Sequence, residues 1–161
     1  MANISFNGLS GYITSLERMA RESGEITKKA LYEGVNVTAN EVRTAIEALP
    51  TDEKWGTPEK PAKGIKEGQK QALLDGFGVS RFREADEMIA ALAGFSGYST
   101  YKTAKYPEGQ PLAIIARVAE SGTSFSKKTP FMAKAVRRAK PQAEAKMKEI
   151  FENEIENIMR E

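Results

Sequence analysis

The chain holds few residues able to carry catalysis. Asp52, Asp75 and Asp86 are its only aspartates, each in a turn-like setting where an aspartate serves its neighbouring backbone. A metal-dependent nuclease needs clustered carboxylates with a lysine on strands. The nearest match, Glu144-Ala145-Lys146, lies in a helical stretch, where such spacing makes an ordinary solvated face. Gly76-Phe77-Gly78 is a lone glycine pair, and no G-x-x-x-x-G-K-[ST] run exists to cradle phosphate. The serines of E-S-G-T-S-F-S (120–126) have no partner base, because the chain contains neither histidine nor cysteine. That absence removes Ser-His-Asp and Cys-His catalysis, Cys/His zinc sites and disulfides together. The expectation is a structural protein, not an enzyme, with no cofactor and no metal.

Its 161 residues suit one domain, 1–161, with a sizeable core. At 40% hydrophobic and 29% charged, with a formal net charge of +2, the chain is too close to neutral for a dedicated nucleic-acid coat. The amino end, MANISFNGLSGY, lacks a basic region and an apolar core, so it does not read as a secretory signal. No apolar run approaches the roughly 20 residues that span a bilayer. No membrane partner is expected, and the protein should be made and kept in a cytoplasm.

The elements follow from periodicity. Asn3 to Phe6 suggests a short strand turned by Asn7-Gly8. Leu9, Tyr12, Ile13, Leu16, Met19 and Ala20 recur at helical spacing, and Gly24 is a natural stop. A second helix is expected from Glu25 to Leu49, bent or broken at Gly34 and ended by Pro50. A short helix from Lys66 to Asp75 precedes two strands, one through Phe77, Val79 and Phe82 and one from Met88 to Phe95, joined through Arg83 to Glu87. Tyr98, Tyr101 and Tyr106 are expected to cover the core edge. Leu112 to Ala119 fits two helical turns or one buried strand; alanine, arginine and the Gly122 stop favour helix. A terminal helix runs from Pro130 to about Met159 with Thr129 as N-cap, and Pro141 predicts a kink in it. The fold class is α+β: a small antiparallel sheet flanked by helices, two N-terminal helices and a long kinked C-terminal helix.

Residues 51–68, TDEKWGTPEKPAKGIKEG, have loop composition and unusual length, predicting a flexible loop ordered by a partner. The only tryptophan, Trp55, lies within it, either folded back on the body or serving as an anchor for a neighbouring subunit. Lys127, Lys128, Lys134, Arg137, Arg138 and Lys140 occur with no acid among them, while Glu149, Glu152, Glu154, Glu156 and Glu161 follow Lys148. That polarity is backwards for an isolated helix. It describes either a solvated face or a helix whose ends meet opposite charge on a neighbouring subunit or on DNA.

The pivot of the chain is 111–136, PLAIIARVAESGTSFSKKTPFMAKAV. A-R-V-x-E-S-G-T-S at 116–124 and K-K-T-P-F at 127–131, with G-F-G-V-S, G-F-S-G-Y and Y-P-x-G-x-P upstream, resemble the tail-component or tail-completion proteins of tailed phages, of the lambdoid gene-product-ten type. The likeness runs from about Gly76 to the carboxyl end. It implies a small antiparallel sheet with a long terminal helix, and assembly as a ring, such as a hexamer, in the neck that joins tail to DNA-filled head. Implied partners are further copies, other phage neck and tail proteins, and packaged DNA through non-specific contact. The implied location is the virion, with host cytoplasm during assembly. Glu120, Ser121, Gly122, Thr123, Pro130 and Phe131 are implied to be structural, fixing the hinge before the terminal helix. Met132-Ala133 departs from the leucine or valine and arginine frequent in relatives, which leaves the helix start intact but counts against an arginine-based role there. The alternative is a nucleic-acid-binding accessory protein using 127–140; the near-neutral whole and the lack of aromatics interleaved with those cations count against it.

Overall fold

In the computed structural model, which describes residues 7–85 and 88–160, two long helices form the frame. Helix α1 (Asn7–Glu47) and helix α4 (Phe131–Arg160) run antiparallel. Lys29 pairs with Glu154 near one end of the contact and Glu41 with Arg138 near the other. Their seam is built of small residues: Ala30, Ala135 and Ala139 are fully buried. Gly34 faces Met147 so closely that a Cβ there would lie 2.7 Å from Met147 Cγ.

That contact explains why α1 runs unbroken through Gly34, where a bend or break was expected. A mid-helix glycine costs about 1 kcal/mol against alanine. At Gly34 the missing side chain instead admits Met147 from α4, and packing outweighs propensity. Gly24 does not stop the helix either, so the two helices expected before Pro50 are one, and Asn7-Gly8 belongs to α1, not to a turn. The strand expected from Asn3 to Phe6 lies outside the described residues. In α4 the helical run continues through Pro141.

The shorter elements cluster on the carboxyl half of α1. Helix α2 (Glu67–Gly76) leads into strand β1 (Phe77–Val79), followed by β2 (Arg83–Ala85), β3 (Met88–Ala90) and β4 (Ala93–Phe95). β1 pairs antiparallel with β4, Phe77 opposite Phe95, and β2 with β3, Arg83 opposite Ala90. Residues 80–82 therefore face only 91–92, and the two ladders form one hairpin with a bulge-like offset. Arg83 to Ala85, expected as connector, is strand; Asp86 and Glu87 lie outside the described residues. Helix α3 (Leu112–Ser121) is the helix that its alanines and arginine suggested.

The core gathers Val42 and Ile46 of α1, Leu49 just after it, Leu73 of α2, Leu112 and Ile115 of α3 and Phe131 of α4. Phe77 and Phe95 close its sheet side with ring centroids 5.2 Å apart. Tyr101 packs beside Gly68, whereas Tyr98 is exposed. The chain is thus mixed helix and strand with a small antiparallel sheet and a long C-terminal helix.

Candidate functional site

The hinge and the long loop meet on one surface. Helix α3 ends at Ser121, which is exposed, and Gly122 takes φ 72° and ψ 172° while its N–H donates to Val118 O at 2.8 Å. That backbone region is essentially glycine-only. A Cβ would also lie 2.8 Å from Lys128 N, so space and conformation agree on the residue. Thr123 and Ser126 then close a tight turn, Thr123 N–H donating to Ser126 O at 2.8 Å and Thr123 Oγ1 accepting from Phe125 N–H at 3.2 Å. The turn holds Phe125 outward, 55% exposed.

Glu120 joins α3 to α4. Its carboxylate accepts the backbone N–H of Met132 at 2.9 Å and of Ala133 at 3.1 Å. These amides belong to the first turn of α4, which has no acid of its own. A carboxylate there satisfies two open donors and opposes the positive helix end. The capping carboxylate is thus Glu120, twelve residues away, where the sequence pointed to Thr129. The helix itself begins at Phe131, one residue after Pro130, and Phe131 is buried in the core.

The loop closes over this hinge. Its ends are held by Ile65 N–H to Pro50 O at 3.1 Å and Asp52 N–H to Ile65 O at 2.9 Å. Ala62 N–H donates to Phe125 O and Lys127 N–H to Ala62 O, both at 2.9 Å, stitching loop to hinge. Asp52 accepts the N–H of Lys63 and of Lys54, each at 3.1 Å. Those two backbone bonds, Lys63 first, hold its carboxyl below the usual aspartate range. The carboxylates expected to serve turns thus include one that pins a loop with its charged form.

Trp55 is 62% exposed, so it is not folded into the body. Lys66 Nζ lies 4.3 Å from its ring centroid and also donates to Glu53 O. Lys66 itself is buried, and a stem that fills the core edge while its ammonium meets a π face and a carbonyl is a satisfied arrangement. Between loop and α3 opens a pocket of about 310 Å³, walled by Trp55, Ile65, Ile115, Val118 and Phe125. Gln69 and Gln110, bonded to each other at 2.6 Å, form its polar side. Apolar walls, an exposed indole and two amides suit the seating of another side chain.

The basic residues divide. Lys127 and Lys128 are exposed at the hinge. Lys134, Arg137, Arg138 and Lys140 spread over about 160° of the solvent side of α4, at 100° per residue. Arg138 comes within 3.7 Å of Glu41, and Lys140 within 3.8 Å of Glu144. Lys127, Lys128, Lys134 and Arg137 make no ion pair to the described residues. The acidic end of α4 meets Lys29 of α1. Part of the reversed polarity of α4 is therefore answered inside the subunit, by Lys29 and Glu41 of the antiparallel α1. Such exposed pairs contribute about 0–1 kcal/mol each.

Sequence reasoning missed the pocket and Phe125. The available signal was an aromatic residue inside the polar run Thr123-Ser124-Phe125-Ser126. Compared with protein-family models, with curated proteins and with solved structures, the chain matches none.

Proposed function

We propose that this chain is a structural morphogenesis protein of the neck or tail-completion region of a tailed phage, assembling as a ring that helps join the tail to the DNA-filled head. The observation that carries the reading is the segment Ala116 to Phe131, whose E-S-G-T-S and K-K-T-P-F runs resemble that family. Its geometry supports a docking role. The E-S-G-T residues fix the angle between α3 and α4 and hold Phe125 outward beside Trp55. Exposed aromatics next to a small pocket make good anchors for a partner. In this reading the pocket, Trp55 and Phe125 meet a neighbouring subunit or tail protein, and Lys127, Lys128, Lys134 and Arg137 face an acidic neighbour or packaged DNA.

Deletion of the coding sequence from a phage genome that carries it tests the reading. DNA-filled heads and finished tails should accumulate unjoined, and the purified protein should restore joining. Unchanged particle yield, or a block at an earlier stage, would overturn it. Binding to duplex DNA by a protein that forms no rings, weakening steeply with salt and abolished by Lys134→Glu with Arg137→Glu, would favour the nucleic-acid accessory reading instead.

A further inference from the structure

The amino-terminal part of α1 outruns its partner. The Lys29–Glu154 pair sets the antiparallel register, and carrying it to the end of α4 places Arg160 opposite Ser23. Residues 7–22 therefore extend beyond α4 as an arm about 24 Å long. Along it Tyr12 is 52%, Ile13 52% and Leu16 42% exposed. At 100° per residue, Tyr12, Leu16 and Met19 share the helix face of Ile26, Ala30 and Gly34, which α4 covers. The apolar seam of the two-helix frame thus continues past the point where its cover stops.

We propose that the arm pairs antiparallel with the arm of a second copy of this chain, about a two-fold axis beside Thr14. The spacing is self-complementary about that point: Tyr12 of one copy meets Leu16 of the other, and Leu16 meets Tyr12. In heptad terms each contact joins an a to a d position, the pairing that two antiparallel helices require. Charge does not oppose it. From 7 to 22 the arm carries Glu17 and Glu22 against Arg18 and Arg21, so it is neutral, and Arg18 already bonds Glu22 at 2.9 Å. The same register brings the start of the partner's arm to the end of α4, where Met159 and Ile155 are exposed. A two-fold pair is closed, so it sets the state of the free subunit and is independent of the ring, which needs a head-to-tail surface.

The chain has no cysteine, which allows a direct test. Tyr12→Cys and Leu16→Cys proteins are prepared separately, then oxidised mildly alone and mixed. The mixture should form the 12-to-16 disulfide at least tenfold faster than either protein links to itself. Self-linking of each protein alone would indicate parallel arms, and no linking in any combination would indicate an unpaired arm; both overturn the proposal. In the parent background, Leu16→Glu should raise the dimer dissociation constant at least tenfold by sedimentation. Its melting temperature at dilutions where the parent is monomeric should be unchanged, because Leu16 is exposed in its own subunit. A dimer that survives Leu16→Glu, or a parent that stays monomeric at several hundred micromolar, also overturns it.

Discussion

Gly122→Ala is the sharpest test of the hinge. Two costs add. A residue with a side chain at φ 72° and ψ 172° stores about 1–3 kcal/mol of backbone strain. The new Cβ would lie 2.8 Å from Lys128 N, 3.0 Å from Lys128 Cβ and 3.1 Å from Lys128 Cα, so backbone must move. Overpacking of that kind costs about 1–3 kcal/mol. The sum, about 2–6 kcal/mol, is a large part of the roughly 5–15 kcal/mol available to a domain. For this chain length each kcal/mol shifts the melting temperature by about 2–4 °C. A drop of at least about 4 °C is therefore expected, with a matching fall in the urea midpoint and no change in slope. Gly24→Ala is the control of opposite sign: it lies within α1, a Cβ there meets nothing within 4 Å, and it should stabilise by about 0.5–1 kcal/mol. A loss below 1 kcal/mol for Gly122→Ala would refute the argument that backbone geometry, and not motif resemblance alone, demands this glycine.

Glu120→Ala removes both cap bonds and the charge at the amino end of α4, and should cost about 1–2 kcal/mol in urea denaturation; Glu120→Gln, which keeps one acceptor but loses the second and the charge, should recover only part of that. Asp52 has a lowered carboxyl pKa, so its contribution is present above about pH 4 and lost as pH falls through the folded value. Hydrogen exchange at the Lys54 and Lys63 amides should accelerate below pH 4 beyond the intrinsic trend, and Asp52→Ala should abolish that pH dependence. Gly34→Ile drives a branched side chain into Met147 and should destabilise by more than 2 kcal/mol, whereas pairing it with Met147→Ala should recover part of the loss in a double-mutant cycle.

Several features were legible because they depend on neighbours in sequence. The stop at Gly122, the helix from Leu112 and the start of α4 near Phe131 all follow from local conformational preference. Helical spacing marked Tyr12, Leu16 and Met19, and the strand-like composition around Phe77 and Phe95 marked the hairpin. The absence of histidine and cysteine removed whole reaction classes by composition alone.

The tertiary structure decided whatever depended on a distant partner. Gly34 looks like a break until Met147, more than a hundred residues on, fills the space it leaves. Glu120 looks like the end of one helix and proves to cap another, because the Gly122 turn brings α4 back against it. The 51–68 segment has the composition of an unbound loop, yet Ala62 bonds both Phe125 O and Lys127 N–H across more than sixty residues. The reversed charges of α4 looked unanswered until Lys29 and Glu41 of α1 came alongside. Propensity and periodicity report energies within about one helical turn or strand pair, whereas close approach, capping from afar and charge pairing arise only once helices pack.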